Sequence, residues 1–358
     1  MVRISDIAKS LDVSIGTVDR ALHDRPRIDP ATKLRVLQAA KSMGYQANLA
    51  ASVLARKKRL RISVNLPDQT KDFYDEIRIG IKAEYQTYAK AAVTLEYRSF
   101  PRLGIGEIEA FDEACRSRVD GIISVFSQPE EIRPLLRTAN QYGIHIVAVV
   151  TGAPRSEMIP SISVDPGMSG ALAAGIMGGI LKRSGKIAVE TGDVHAWEHQ
   201  EKIKAFTQAI RQTFPFLEVL PVTETHEQKK EAFKKATLLL DRHHDIVGYY
   251  ISTINSIPVI RALKSRDLLG KVVLITTDIF PELLPHLRSG AVAATLYQRP
   301  RIQGELALRT MYRILRERTN SDSKIMLQPH VVMRANLDYF LEGALRNGGN
   351  SGYQQTYS

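Results

Sequence analysis

Residues 4–22 read ISDIAKSLDVSIGTVDRAL. Ile4, Ile7, Ala8 and Leu11 recur at the spacing of one apolar helix face, with Ser5 or Asp6 available near its start, and predict a short amphipathic helix. Asp12 and Val13 break it, Ser14 is a residue type that caps helix N-termini, and Val18, Ala21 and Leu22 supply the face of a second helix. Beyond the polar stretch His23–Arg27, Asp29 can cap a third helix with Pro30 at its first position, carrying Leu34, Leu37 and Ala40 inward and ending at Gly44. Two short helices joined by a tight turn and closed by a third make a helix-turn-helix, whose second helix enters a DNA major groove.

The charge distribution points the same way. Residues 1–61 hold thirteen Lys and Arg against five Asp, so most of the chain's net charge of +11 sits in its first sixth. A concentrated positive field favours polyanions, nucleic acid above all, through counterion release. At 358 residues with 44% hydrophobic content, the chain has material for two or three folding units. A single cysteine, Cys115, excludes an intrachain disulfide, and no apolar run reaches the roughly 20 residues needed to span a bilayer. The opening MVRISDIAKSLDVS lacks the apolar core of a signal peptide, so a cytoplasmic location away from membranes is expected.

The wording of residues 4–22, followed by TKLRVLQAAKSMGYQANLAASVLARKKR at 32–59, resembles the DNA-binding headpiece of the lactose-repressor/galactose-repressor (LacI/GalR) family. The resemblance implies that Ile15, Gly16 and Arg20 face base edges, while Ser14, Thr17, Tyr45 and Asn48 lie against phosphates. A guanidinium fork can pair with both guanine acceptors, which makes Arg20 the strongest reader. The family's hinge would cover the basic stretch from Asn48 to Arg59, with Leu54 as the apolar wedge entering the minor groove. Asp19, Ala47 and His23 depart from the family's usual serine, proline and asparagine, and an acid on the recognition helix repels phosphate.

From Arg61 onward, short β-branched runs alternate with helical patterns, which predicts parallel sheets covered by helices on both faces. The predicted strands are Ile62–Leu66, Val93–Tyr97, Gly121–Phe126, Ile144–Val149, Lys186–Glu190, Val219–Val222, Ile246–Ile251, Val272–Thr276 and Ala293–Tyr297. They are too many for one small sheet. Two doubly wound α/β lobes fit better, with a ligand cleft beyond the strands' carboxyl ends. This part resembles the periplasmic sugar-binding-protein fold that the same repressor family carries behind its headpiece, most specifically in LITTDIFPELLPHLRSGAVAATLYQRPRIQGELAL at 274–308. The match implies that Asp278 and Gln298 contact a small effector, a sugar or related polar metabolite, and both side chains suit hydroxyl groups. Lys202 stands where the family usually has arginine, with Trp197, Glu198 and His199 upstream. Lysine keeps the cation but loses the planar bidentate fork. Phe73 and Tyr74 occupy the place where aromatics stack on a sugar ring, and Thr151, Thr253 and Asn255 complete the expected lining.

The organisation expected is a headpiece at 1–47, a hinge at 48–60, the two-lobed effector and dimerisation domain at 61–342, and a disordered tail at 343–358. The resemblance implies a homodimeric repressor on double-stranded DNA carrying a near-palindromic operator, with allosteric control by the effector. A solute-binding protein without a DNA role is the alternative, opposed by the basic headpiece. An enzyme is not expected. No G-x-G-x-x-G turn follows the first strand, where the sequence reads NLPDQTKDFYDE. No cofactor or metal is expected either, and the adjacent His243 and His244 face different directions on a helix.

Overall fold

In the computed structural model, which describes residues 4–22, 28–43, 59–88, 93–127, 129–151, 159–317 and 324–346, the headpiece is three helices: α1 (Ile4–Leu11), α2 (Ile15–Leu22) and α3 (Pro30–Ser42). Asp12 turns left-handed at φ 52° and ends α1, with the Val13 N–H reaching the Ala8 carbonyl at 3.1 Å. Ser14 then caps α2, its Oγ accepting from the Thr17 N–H at 3.1 Å. Asp29 does the same for α3, accepting from the Thr32 N–H at 2.9 Å. Ile7, Ala8, Val18, Ala21, Val36 and Ala40 close a small core. The expected inward face of α3 is thereby corrected: Leu34 is 58% exposed and Leu37 41% exposed, while Val36 points inward. Two apolar stripes compete along α3, and the crossing with α1 and α2 selects the one through Val36, Ala40 and Met43.

The larger part begins with β1 (Leu60–Pro67), α4 (Lys71–Tyr88), β2 (Val93–Phe100), α5 (Glu107–Arg116), β3 (Gly121–Ser124), α6 (Pro129–Gln141), β4 (His145–Val149) and β5 (Ser161–Val164). It continues with α7 (Pro166–Ile180), β6 (Gly185–Thr191), α8 (Trp197–Thr213), β7 (Leu217–Val219), β8 (Thr223–Glu224), α9 (Lys229–Arg242), β9 (Ile246–Ile251) and α10 (Ser256–Ser265). Then come β10 (Val273–Thr277), α11 (Leu284–Ser289), β11 (Ala294–Tyr297), α12 (Pro300–Glu317), β12 (Lys324–Leu327), β13 (His330–Val332) and α13 (Leu337–Arg346).

Two sheets result, ordered β12-β5-β4-β3-β1-β2 and β13-β11-β10-β9-β6-β7, with β8 beside β6. Every pairing is parallel except β11 with β13. Both sheets are doubly wound, and each reverses strand order at one place, between β1 and β3 in the first lobe and between β6 and β9 in the second. Ligands in such sheets bind beyond the carboxyl ends at that reversal. The chain passes between lobes three times: at Asp165, which caps α7; at Gln298–Arg299, after which α12 packs back on the first lobe; and at Gln328–Pro329.

Two glycines set one helix crossing. A Cβ at Gly80 of α4 would overlap the Arg301 carbonyl of α12, and one at Gly304 of α12 would overlap the Ile77 carbonyl. Arg309 of α12 adds a bidentate pair to Glu84 of α4 at 2.8 and 2.7 Å.

The elements differ from expectation in several places. Of the strand expected at Val219–Val222 only Val219 lies in β7, and residues 220–222 separate it from β8, Pro221 having no N–H to give to a ladder. Strand β5, only four residues long, lies outside the strands expected from the sequence. So do β12 and β13, which alternate exposed with half-buried residues or run only three residues, so no long apolar run marks them. Helix α13 runs to Arg346, past the tail boundary expected at 343, because Leu337, Phe340 and Leu341 pack on the second lobe.

Candidate functional site

On the headpiece, α2 presents Ile15 at 58% exposure beside exposed Ser14, Gly16 and Arg20. The Ser14 and Thr17 hydroxyls are 2.9 Å apart and fix the helix start. The Arg20 guanidinium lies along the helix over Gly16, 3.8 Å from where a Cβ there would stand. Tyr45, Asn48 and Leu54 lie outside the described residues.

In the second lobe the loops at the reversal carry most of the residues expected from the sequence to contact an effector. Trp197, His199 and Lys202 come from the first turns of α8 after β6, and Thr253 and Asn255 follow β9. Asp278 follows β10 and Gln298 follows β11, on the second interlobe crossing. In the first lobe, Phe73 and Tyr74 begin α4, and Thr151 follows β4. Backbone strain concentrates here: of nine described non-glycine residues with positive φ, Thr70, Val150, His226, Glu227, Asp278 and Arg299 are in loops at this end of the sheets. A β-branched residue such as Val150, at φ 69°, adopts that conformation only where the surroundings enforce it.

A relay with both ends buried and a half-buried centre runs through three of these side chains. The Lys202 Nζ donates to the Gln298 Oε1 at 2.9 Å, and the Gln298 Nε2 donates to the Asp278 Oδ2 at 2.6 Å. The Gln298 backbone N–H also reaches the Asp278 Oδ1 at 2.8 Å. A cation at one end and a carboxylate at the other dictate which way the Gln298 amide points. Burial, countered by the Gln298 donors and Lys202, leaves the Asp278 carboxyl at about 6. Burial pulls the Lys202 ammonium below its usual value, opposed by Glu198, Asp278 and Glu227.

His199 is buried and neutral, pulled down to about 4 by desolvation and Lys202. Its Nδ1 sits 3.1 Å from the Asp193 N and 2.9 Å from the Asp193 O. The Thr151 Oγ1 accepts from the Phe126 N–H at 2.6 Å, tying two first-lobe loops together. Phe73 packs into the first lobe's core against Tyr74, ring centroids 5.1 Å apart and edge-on. Tyr74, in contrast, feels Glu198 and Glu227 of the second lobe as well as Glu107 of its own, and burial with these charges raises its hydroxyl well above the usual value.

Sequence reasoning missed Glu107 and Glu227 and passed over Glu198. The Glu107 carboxylate accepts from the Ser127 N–H at 3.0 Å and from its hydroxyl at 2.6 Å. The Glu227 carboxylate accepts from the Thr253 hydroxyl at 3.2 Å. Burial pushes Glu198 and Glu227 each up to about 7. Among Glu198 and the residues expected from the sequence, three buried polar atoms have no hydrogen-bond partner: Trp197 Nε1, Glu198 Oε2 and Asn255 Nδ2. The lobes meet at its rim, where the Gln69 Nε2 donates to the His226 carbonyl at 3.2 Å, and Ile254 packs against both lobes' cores.

Helix α8 reaches this position because Gly170 of α7 has no side chain; a Cβ there would overlap the Lys202 carbonyl and stand 2.9 Å from the Phe206 N. Gly170→Ala therefore overpacks the crossing, with an expected cost of about 1–3 kcal/mol. Thermal unfolding should fall by several degrees. An unchanged midpoint would mean that α8 shifts freely, and Lys202 with it.

Residues 3–48 match the family model described as bacterial regulatory proteins, lacI family, and residues 62–319 match that of the periplasmic binding protein domain. The chain belongs to the lacI-family regulators that carry a periplasmic-binding-protein-like domain. Among similar proteins, catabolite control protein A of Priestia megaterium is 25% identical over 346 residues, spanning 92% of this chain and 97% of that one. The HTH-type transcriptional regulator DegA of Bacillus subtilis is 23% identical over 335 residues, 92% of this chain and 96% of that one. Of solved structures, the glucose-galactose binding protein GanP of Geobacillus stearothermophilus superposes with a TM-score of 0.70 at 25% identity, covering 78% of this chain and 99% of that one. This lacI-family chain is thus a transcription regulator: a DNA-binding headpiece followed by a two-lobed α/β domain. Among the described residues no helix is long and apolar enough to cross a membrane, and no group of three His, Cys, Asp or Glu could hold a metal ion.

Proposed function

We propose that the protein is a homodimeric, non-catalytic repressor of the cytoplasm, in which a sugar or related polyhydroxylated metabolite binds between the lobes and alters operator affinity. The observation that carries this reading is the Lys202–Gln298–Asp278 relay, built beyond the carboxyl ends of β6, β10 and β11 and joined on α8 by Glu198, whose Oε2 is buried without a partner. Gln298 lies on one of the three interlobe crossings, so a ligand that rearranges the relay acts directly on the connection between the lobes. Control needs a ligand whose affinity differs between the two lobe arrangements. The sugar class draws support from the glucose-galactose binding protein of the same fold and from a Burkholderia graminis solute binding protein in complex with D-arabinose, TM-score 0.72 at 22% identity over 78% of this chain and 97% of that one.

The effector set proposed is Tyr74, Thr151, Trp197, His199, Lys202, Thr253, Asn255, Asp278 and Gln298, with Phe73 supporting Tyr74 from the core. A thermal-shift screen of the full-length protein against small sugars and polyols tests it. A ligand at about a hundred times its dissociation constant adds roughly 2.7 kcal/mol of stability. No stabilisation by any polyhydroxylated compound would sink the reading.

For DNA, Ser14, Ile15, Gly16, Thr17 and Arg20 are the proposed contacts on the described headpiece, with Tyr45, Asn48 and Leu54 beyond them. Arg20→Ala should weaken binding to a specific operator by about 1–3 kcal/mol and binding to scrambled DNA much less, since one base-reading fork is lost among many phosphate contacts. Competition binding with scrambled DNA decides it. Equal losses on both would assign Arg20 to the backbone.

A further inference from the structure

Resting on the interlobe cleft proposed above, we infer that its ligand carries a positive charge as well as hydroxyl groups: an amino sugar or similar ammonium-bearing polyol. Carboxylates outnumber cations in the cleft. Glu198, Glu227 and Asp278 of the second lobe all act on the buried cation Lys202. Glu107 of the first lobe adds to this field, because Glu198 feels both Glu107 and Glu227. Tyr74 feels Glu198, Glu227 and Glu107 against Arg78 alone, so carboxylates from the two lobes converge on one hydroxyl and outweigh the cation beside it. Burying several carboxylates around one ammonium is costly unless further protons or a further cation arrive.

Lys202 is already engaged, donating to the Gln298 Oε1 at 2.9 Å and to the Ser252 carbonyl at 3.4 Å. A phosphate or carboxylate ligand would therefore meet more negative than positive charge. The unpartnered atoms say what the ligand offers instead. Glu198 is 8% exposed, and its Oε2 accepts no hydrogen bond, which calls for an N–H or O–H donor. Asn255, 6% exposed, has an Nδ2 without an acceptor, and the Trp197 Nε1 is in the same state, which calls for hydroxyl oxygens. One molecule holding an ammonium among hydroxyls meets both demands. A metal ion does not, because among the described residues no three carboxylate or imidazole groups lie close enough to chelate one.

The test uses the full-length protein and three sets of probes: D-glucosamine, D-galactosamine and D-mannosamine; their N-acetyl forms, which keep the hydroxyls and lose the charge; and the parent hexoses. Thermal unfolding finds the binders and calorimetry at pH 7.5 measures them. At least one free amine is expected to bind ten-fold or more tightly than its N-acetyl form and its parent. Glu198→Gln and Glu227→Gln should each cut that preference several-fold, while leaving the unliganded unfolding temperature unchanged or higher, since each removes a like charge. A neutral hexose binding as tightly as its amine, or an amine preference untouched in both variants, overturns the inference and leaves the effector cleft standing. Binding by none of the three sets overturns the inference, whereas the sugar reading falls only if the wider screen of polyhydroxylated compounds also finds no ligand.

Discussion

A fragment ending at Arg59 is expected to bind a two-half-site operator about 10²–10⁴-fold more weakly than the full chain, on the proposal that the chain is a dimer. The headpiece has its own core, from Ile7 to Ala40, so removing the lobes leaves its fold intact. What is lost is the tether. Once the first headpiece of a dimer is bound, the second meets its half-site at an effective concentration that reaches millimolar, whereas two fragments must bind independently. Gel-shift titration of both forms on one near-palindromic fragment compares them directly, at a fixed salt concentration because phosphate contacts make the affinity salt-dependent. Equal affinities would remove the dimer from the account.

The second large effect is expected from Asp278→Asn. Asp278 stands at φ 63°, a conformation asparagine tolerates and most residues do not, so the backbone turn survives the change. The relay does not. Its polarity runs from the Lys202 donor through the Gln298 amide to the Asp278 acceptor, and a side-chain amide in place of that carboxylate cannot accept through both of its terminal atoms. If Gln298 turns over to suit the substituted amide, its Nε2 faces the Lys202 ammonium instead. Losing a charge-assisted bond of this kind costs about 1.5–3 kcal/mol, so effector affinity should fall at least ten-fold, with operator binding in the absence of effector unchanged. Calorimetry with a ligand found by the thermal-shift screen measures it. Wild-type affinity in Asp278→Asn would remove Asp278 from the site.

The headpiece was legible because its signals are local. Ser14 and Asp29 cap the helices they precede, and Pro30 opens α3. Leu34 and Leu37 misled because α3 carries two apolar stripes, and only its neighbours decide which one is buried. In the lobes, long β-branched strands such as β9 announced themselves, whereas β12 and β13 are short pieces whose pairing depends on partners far away in sequence. The same holds for the cleft. Asp278 and Gln298 stand in a specific stretch of sequence, but nothing local separates Glu107 or Glu227 from an ordinary surface carboxylate. They join the candidate site only when the two sheets bring the loops after β2, β6 and β8 together, and Glu227 further needs a left-handed turn at φ 56° that no glycine advertises.

The central claim is that occupancy of the interlobe cleft changes the grip on DNA. It is tested most directly by titrating a fluorescent operator, selected from random DNA by the full-length protein, with wild type and Asp278→Asn, each without and with a saturating concentration of the sugar that most stabilises the wild type. A change in operator Kd of about 5–150-fold is expected in the wild type, the ordinary range of allosteric coupling, and in Asp278→Asn a comparable change only when the sugar is raised at least ten-fold further. An operator Kd that stays constant in the wild type, while the same sugar raises its unfolding temperature, would contradict it.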